Sequence, residues 1–108
     1  MARKKLETLT EQMYYVLLSL TQERHGYGIR QDIAQLTGGR VSVGAGTLYA
    51  LLSRFEEEGL IVLSDTRDGR KYYTLTPEGR QVLEQEYDRL RQQVADGAAL
   101  LDRKERKT

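Results

Sequence analysis

Gly46-Thr47-Leu48-Tyr49-Ala50-Leu51-Leu52-Ser53-Arg54-Phe55-Glu56-Glu57-Glu58-Gly59-Leu60-Ile61, continued by two short runs joined through Arg67-Asp68-Gly69-Arg70-Lys71, decides how this chain folds. Leu48, Leu51, Leu52 and Phe55 recur at the spacing of one helical face. That predicts a helix from about Ala45, closing at Gly59 in a left-handed C′ position. Ile61 to Ser64 and Lys71 to Thr76 predict paired strands, and Asp68-Gly69 is a strong signal for a tight hairpin turn. A helix running straight into a hairpin with a basic tip is the second half of a winged helix-turn-helix. Such a helix fits a DNA major groove, and the hairpin (the wing) reaches the neighbouring backbone or minor groove.

Upstream, Thr8-Leu9-Thr10-Glu11 fits a capping box with Thr8 as cap and Glu11 three residues later. Met13, Val16, Leu17 and Leu20 then mark one apolar face of a first helix, expected over about 9 to 22. His25-Gly26-Tyr27-Gly28 interrupts the pattern. A second helix is expected over about 27 to 37, burying Ile29, Ile33 and Leu36 and stopped by Gly38-Gly39. Arg40 to Gly44 is an extended or turn segment. Downstream, Thr76-Pro77 caps and opens a last helix that runs to about residue 100, with proline at a position where its missing N–H is harmless. The order is helix, helix, helix, strand, strand, helix: a mainly α fold with a small β-hairpin. We divide it into a winged domain over residues 1–76 and a dimerisation helix with a charged tail over 77–108.

On the third helix the face opposite the leucines carries Gly46, Ala50, Ser53 and Glu57, flanked by Tyr49 and Arg54. Small residues there let a helix sink into the ~12 Å major groove, and its N-terminal N–H groups favour phosphate. Glu56-Glu57-Glu58 would repel phosphate, so only the first two turns are suited to approach DNA. Taken alone, this reads first as an amphipathic helix with a solvated face. The wing that follows tips the reading to DNA recognition, with Arg70 and Lys71 as phosphate contacts and Gly69 allowing close approach. Arg67, Arg70 and Lys71 stand against Asp65 and Asp68, so the tip is only slightly positive. Arg3, Lys4 and Lys5 offer further backbone contacts as an N-terminal arm.

Leu83, Tyr87, Leu90, Val94, Gly97 and Leu101 form a heptad-like stripe on the last helix, weakest at Gly97. Its remaining surface, including Glu84, Glu86, Asp88, Arg89, Arg91 and Gln92, reads as charged or polar. A narrow stripe outside the compact winged unit predicts a partner helix, hence a homodimer presenting two reading heads to a pseudo-palindromic duplex.

Bulk properties bound the alternatives. The chain has 108 residues, a formal net charge of +1, and charged residues at 31%. Any electrostatic footprint is therefore local. There are no cysteines, which excludes a disulfide framework, a thiol nucleophile and a cysteine metal site. No apolar run is long enough to span a bilayer, and the start lacks a signal-peptide pattern, so a cytoplasmic protein without membrane association is expected. The single His25 lies at a helix boundary and reads as a turn or packing residue rather than a general base. Neither Gly38-Gly39 nor Gly44-Ala45-Gly46 has phosphate-loop context. Enzyme chemistry, a metal and a cofactor are accordingly not expected.

These residues resemble the PadR family of transcriptional regulators over about residues 6 to 101. The carriers are His25-Gly26-Tyr27-Gly28-Ile29, Gly46-Thr47-Leu48-Tyr49, Glu56 to Ile61, and Gly69-Arg70-Lys71-Tyr72-Tyr73-Thr74-Leu75-Thr76-Pro77-Glu78-Gly79. The single short last helix looks like the branch with a reduced C-terminal region. The resemblance implies a homodimeric regulator, usually a repressor, whose last helix swaps against the partner's first. It places Met13, Leu17, Leu83, Tyr87, Leu90 and Val94 near the dimer interface, and Ser42, Thr47, Tyr49 and Arg54 in or beside the reading element with Ala50 and Ser53. Tyr49 either bonds a phosphate or packs at the turn. Of the wing tyrosines, Tyr73 rather than Tyr72 is expected to face the core with Leu75. Some members bind phenolic acids or flat hydrophobic drugs, so the resemblance also implies a small hydrophobic or aromatic effector at the dimer interface. Tyr14, Tyr15 and Tyr87 would line its pocket, with interface packing as the blander and favoured reading of the three. A tryptophan often stacks on the drug in such relatives, and this chain has none. The alternative function is a winged helix that contacts proteins without specific DNA binding, which the near-neutral charge and Glu56-Glu57-Glu58 favour.

Overall fold

The computed structural model describes residues 8–102. The chain runs α1 (Glu11–Ser19), β1 (Arg24–His25), α2 (Gly26–Thr37), α3 (Ala45–Glu57), β2 (Ile61–Arg67), β3 (Arg70–Leu75) and α4 (Pro77–Leu101). Three helices and the root of a three-stranded antiparallel sheet, ordered β1-β3-β2, enclose one apolar core. Phe55, Leu17, Leu20, Ile29, Ile33, Leu48 and Val16 are its fully buried side chains, so the periodic faces of α1, α2 and α3 all point to one centre. This is the expected winged helix, mostly helical with a small sheet.

Four local expectations are corrected. Thr10, not Thr8, caps α1: its hydroxyl accepts the Met13 N–H at 3.2 Å, while Leu9 just before it is buried. Drawing Leu9 into the core fixes the chain's entry and moves the helix start along it, much as a hydrophobic staple does. The helix also ends at Ser19 rather than about 22, because the Leu20 carbonyl accepts the Leu75 N–H at 3.1 Å instead of continuing the helical ladder. Leu36 is 59% exposed, since Val41 and Val43 return from the following loop to close the core at that end. Finally, β1 was not foreseen: two residues are too few for an alternation pattern, yet Arg24 and His25 pair with Tyr73 and Tyr72 on the free edge of β3.

The wing strands are longer than the sequence suggests. They pair from Ile61 with Leu75 out to Arg67 with Arg70, with a bulge at Leu63/Asp65. Asp68 and Gly69 take φ of 51° and 76°, the paired left-handed conformation of a two-residue hairpin turn that Asp-Gly tolerates well. Tyr73 is buried and Leu75 half-buried, while Tyr72 turns to the other face, as alternation requires.

Thr76 caps α4 by accepting the Gly79 N–H at 2.9 Å. Leu83 then enters the core, and from Tyr87 onward most of α4 is exposed. Gly79 sits hard against the turn that ends α3: a Cβ at this position would lie 1.9 Å from the Leu60 carbonyl oxygen. Backbone meets backbone there, so no side chain can move aside. Gly79→Ala is expected to destabilise the fold by about 1–3 kcal/mol or more through overpacking. A urea midpoint unchanged from wild type would show that α4 can pull away from Leu60 at no cost.

Candidate nucleic-acid interface

The loop ahead of α3 is held from three sides. Arg30 Nε donates to the Val43 carbonyl at 2.9 Å, Gln12 Nε2 to that of Ser42 at 3.1 Å, and Thr37 Oγ1 accepts the Val41 N–H at 3.1 Å. With Val41 and Val43 buried, this fixes where α3 begins. Gly44 is its N-cap and supplies no side-chain hydrogen bond. The first-turn N–H groups thus keep the outward electropositive character of a helix start. Gly46, Thr47, Ala50, Ser53 and Glu57 form the exposed face, and Arg54 pairs with Glu58 at 3.3 Å at the far end.

In the wing the cations have separate duties. Arg67 donates to Asp65 at 2.7 Å, binds Glu23 of the α1–β1 turn, and stacks over the Tyr72 ring at 4.1 Å. Ser64, at the bulge, also donates to Glu23. The hydrogen bonds from Arg67 hold the Asp65 carboxyl below its ordinary range, and those from Ser64 and then Arg67 do the same for Glu23. Arg67 is therefore the wing's brace. Arg70 and Lys71 carry no ion pair among the described residues and are exposed beside the turn.

Between α3 and the wing lies an open cleft of about 470 Å³. Tyr49, Ser53 and Glu56 line it from α3, and Gly69, Arg70, Lys71 and Tyr73 from the wing, with His25, Gly26 and Tyr27 at its back. Tyr49 lies over the start of α2, its hydroxyl 2.8 Å from where a Gly26 Cβ would stand, yet the residue remains 58% exposed. It therefore packs at the turn while keeping a wet edge.

All nine residues expected to meet DNA (Ser42, Thr47, Tyr49, Ala50, Ser53, Arg54, Gly69, Arg70 and Lys71) are exposed. The cleft gathers Tyr49, Ser53, Gly69, Arg70 and Lys71, whereas Ser42, Thr47, Ala50 and Arg54 lie outside its lining. The basic arm Arg3, Lys4 and Lys5 falls outside the described residues, as do residues 103–108 of the charged tail. Sequence reading missed Glu23 and His25 as parts of this site. His25 caps α2, its Nδ1 accepting the Gly28 N–H at 3.1 Å, and its Nε2 lies 3.1 Å from Arg70 Nη1.

A second, smaller groove of about 300 Å³ lies between α1 and α4, lined in part by Leu9, Tyr14, Tyr15, Glu86 and Leu90. Two of the three tyrosines expected of an effector pocket line it. Tyr87 stands close enough to raise the Tyr14 hydroxyl, behind the effects of burial and of Tyr15. Glu86, read from sequence as part of a polar surface, is instead only 5% exposed. Arg89 grips both its oxygens, with Nε to Oε1 at 3.0 Å. Met13, Leu17 and Leu83, expected near a dimer interface, are buried in this chain's own core. Tyr87, Leu90 and Val94 retain exposed surface.

No helix among the described residues is long and apolar enough to cross a membrane. Residues 15–85 match the transcriptional regulator PadR-like family. A PadR family transcriptional regulator from Eggerthella lenta shares the fold with a TM-score of 0.66 and 31% identity, covering 83% of this chain and 80% of that one. Bacillus subtilis PadR, solved in complex with operator DNA, gives a TM-score of 0.62 and 30% identity over 68% of this chain and 46% of that one. The transcriptional regulator YqjI of Escherichia coli strain K12 is 33% identical over 63 residues, which is 58% of this chain and 30% of its own length. The chain spans less than two thirds of the length of the curated relatives it matches.

The Glu86–Arg89 pair has a pH signature. The Arg89 hydrogen bonds hold the Glu86 carboxyl below its ordinary 4.5 against the opposing effect of burial. Its contribution is complete above about pH 4.5 and is lost as pH falls through the folded value. Glu86→Gln should cost about 1–3 kcal/mol at neutral pH and flatten the acid loss of stability below pH 4.5. Urea midpoints against pH that run parallel for the two proteins would remove this pair from the acid response.

Proposed function

The chain belongs to the PadR-like family of transcriptional regulators, and on that premise we propose that it is a homodimeric, sequence-specific DNA-binding repressor. The observation that carries this reading is the shared cleft. Tyr49 and Ser53 of α3 and the wing cations Arg70 and Lys71, which carry no ion pair among the described residues, line the same cleft, and Gly46, Thr47 and Ala50 continue the exposed face of α3 beyond it. In this reading Thr47, Tyr49, Ala50 and Ser53 meet base edges and phosphates in the major groove. Ser42 and Arg54 flank them. The wing tip holds the adjoining backbone through Arg70 and Lys71. The solved operator complex of Bacillus subtilis PadR supports DNA as the partner class.

Two copies would meet along the outer half of α4, where Tyr87, Leu90 and Val94 remain uncovered, and would present two α3 helices to a pseudo-palindromic operator. The α1–α4 groove at Tyr14 and Tyr15 adjoins that stripe. A small hydrophobic or aromatic effector seated there would shift the spacing of the reading heads by preferring one arrangement of the pair. The protein would act in the cytoplasm, with neither metal nor cofactor. The rival reading is a protein-binding winged helix. It draws on Glu56, which puts a carboxylate into the cleft wall.

Fluorescence anisotropy with the chain's own upstream intergenic DNA, titrated against scrambled duplex and salt, tests the first reading. Tight binding that resists the competitor is expected. Equal weak binding to both duplexes would count against that DNA as its operator. Absence of binding to any duplex would favour the protein-binding alternative. Arg70→Ala with Lys71→Ala should leave the fold intact and reduce the salt slope by about two, and an unchanged slope removes the wing from the interface. Val94 is 70% exposed, so Val94→Asp should leave the single chain folded. The variant should nevertheless run as a monomer by light scattering, and a dimeric Val94→Asp would overturn the α4 seam.

A further inference from the structure

His25 is the chain's single histidine and sits where α2, the wing and the cleft meet. As N-cap of α2 its Nδ1 accepts the Gly28 N–H at 3.1 Å. An accepting Nδ1 has its lone pair free, so the neutral ring carries its proton on Nε2. That Nε2–H lies 3.1 Å from Arg70 Nη1, and a guanidinium offers only N–H donors. Two donors thus face each other with no described protein acceptor between them.

The ring is not free to turn away. It meets Tyr72 edge-on with centroids 5.1 Å apart, and His25 pairs with Tyr72 in the sheet. Rotating it would surrender the cap. Arg70 has no carboxylate partner among the described residues, unlike Arg67 with two. The charged side chains facing the ring across the cleft are Arg70 and Lys71 of β3 and Glu56 of α3, with the tyrosines 27, 49, 72 and 73 around it. Burial and then the Arg70 charge hold the imidazole below its ordinary pKa, which keeps the neutral Nε2–H form at neutral pH.

We propose that His25 is a DNA-phosphate contact, its Nε2–H and the Arg70 guanidinium closing on one non-bridging oxygen at the mouth of the cleft. This rests on the DNA-binding reading above. An oxygen at about 2.8 Å from each donor fits a pair 3.1 Å apart and turns a repulsive approach into two hydrogen bonds. Glu56 keeps anions off the cleft wall on the α3 side, so the phosphate seats at the mouth, continuous with Lys71 and the exposed face of α3. His25 thereby links the start of α2 to the wing: the same ring that caps the helix shares the phosphate oxygen with the wing cation Arg70.

Because the ring is unique, its nitrogen resonances report on it alone. NMR of the wild-type chain should show the Nε2-protonated neutral tautomer. Random-sequence duplex at low salt should shift Nε2 and raise the ring's pKa, since a nearby anion favours the imidazolium. Inorganic phosphate at equal phosphate concentration should do neither. His25→Asn keeps a capping acceptor, but its shorter amide does not reach where the ring's Nε2–H stands. It should weaken duplex binding about two- to tenfold with the salt slope unchanged, while Arg70→Ala lowers the slope by about one. In the Arg70→Ala background the His25→Asn loss should shrink, because the two donors share one oxygen. A ring unmoved by saturating duplex, while Arg70→Ala still lowers the slope, would overturn the contact and leave DNA binding standing. An equal response to inorganic phosphate would make this a free-anion site and overturn it too. No binding of wild type to any duplex would remove this inference together with the function it rests on.

Discussion

At Gly79 backbone meets backbone so tightly that a Cβ would overlap the Leu60 carbonyl. Around it, one threonine joins three elements. Thr76 Oγ1 donates to the Gly59 carbonyl at 2.7 Å and accepts the Gly79 N–H, while its own N–H donates to the Leu60 carbonyl at 3.0 Å. The end of α3, the root of the wing and the start of α4 are therefore one knot with no slack residue between them. Leu60 and Ile61 are buried directly beneath it. The direction of α3 relative to α4 is set here. On the proposed dimer, pairing along α4 would fix the separation of the two reading helices through this junction.

The electrostatics depend on allocation rather than sum. A net charge of +1 gives no field to draw a polyanion. The fold compensates by neutralising Arg67 internally against Asp65 and Glu23, and by leaving Arg70 and Lys71 without carboxylate partners among the described residues. The brace and the proposed contacts lie a turn apart in sequence and differ in role. Arg54 likewise is engaged by Glu58 at the acidic end of α3, so positive character concentrates at the helix start and the wing tip. On the proposed DNA-binding reading, such a surface would bind where geometry brings phosphates to it, and long-range steering would contribute little.

Periodicity made most of the fold legible. The leucine face of α3, the Gly59 stop, the Asp68-Gly69 turn and the Thr76-Pro77 start all lie where local rules put them. The errors arose where tertiary contacts decide. Thr10 caps α1 because the core takes Leu9, and Leu20 leaves the helix because β3 claims its carbonyl. Glu86 looked solvated because its neighbours in sequence are charged, but Arg89 one turn on makes it buriable. At the site, exposure of the α3 and wing residues was readable. The partners of Arg67 and His25 were not, since Glu23 lies 44 residues from Arg67 and His25 lies 45 from Arg70. No local pattern encodes such pairs.

The stripe on α4 changes partner halfway along. Leu83 points into its own core, and Glu86 with Arg89 closes that contact against α1. Beyond it Tyr87, Val94, Leu100 and Leu101 stand half or more exposed on a helix that continues to Leu101. A single unsupported helical stretch of this length is marginal in water, because propagation alone barely outweighs nucleation and fraying. Leu, Arg, Gln and Ala there favour the helix, and Gly97 weakens it near the end. What would stabilise this half is burial of its apolar residues against something outside the chain. A second copy in antiparallel or crossed contact offers the same residues in return, so one stripe serves as both surface and partner. On the proposed homodimer the outer half of α4 would be completed by association, and the inner half would be the anchor that gives that association a fixed geometry.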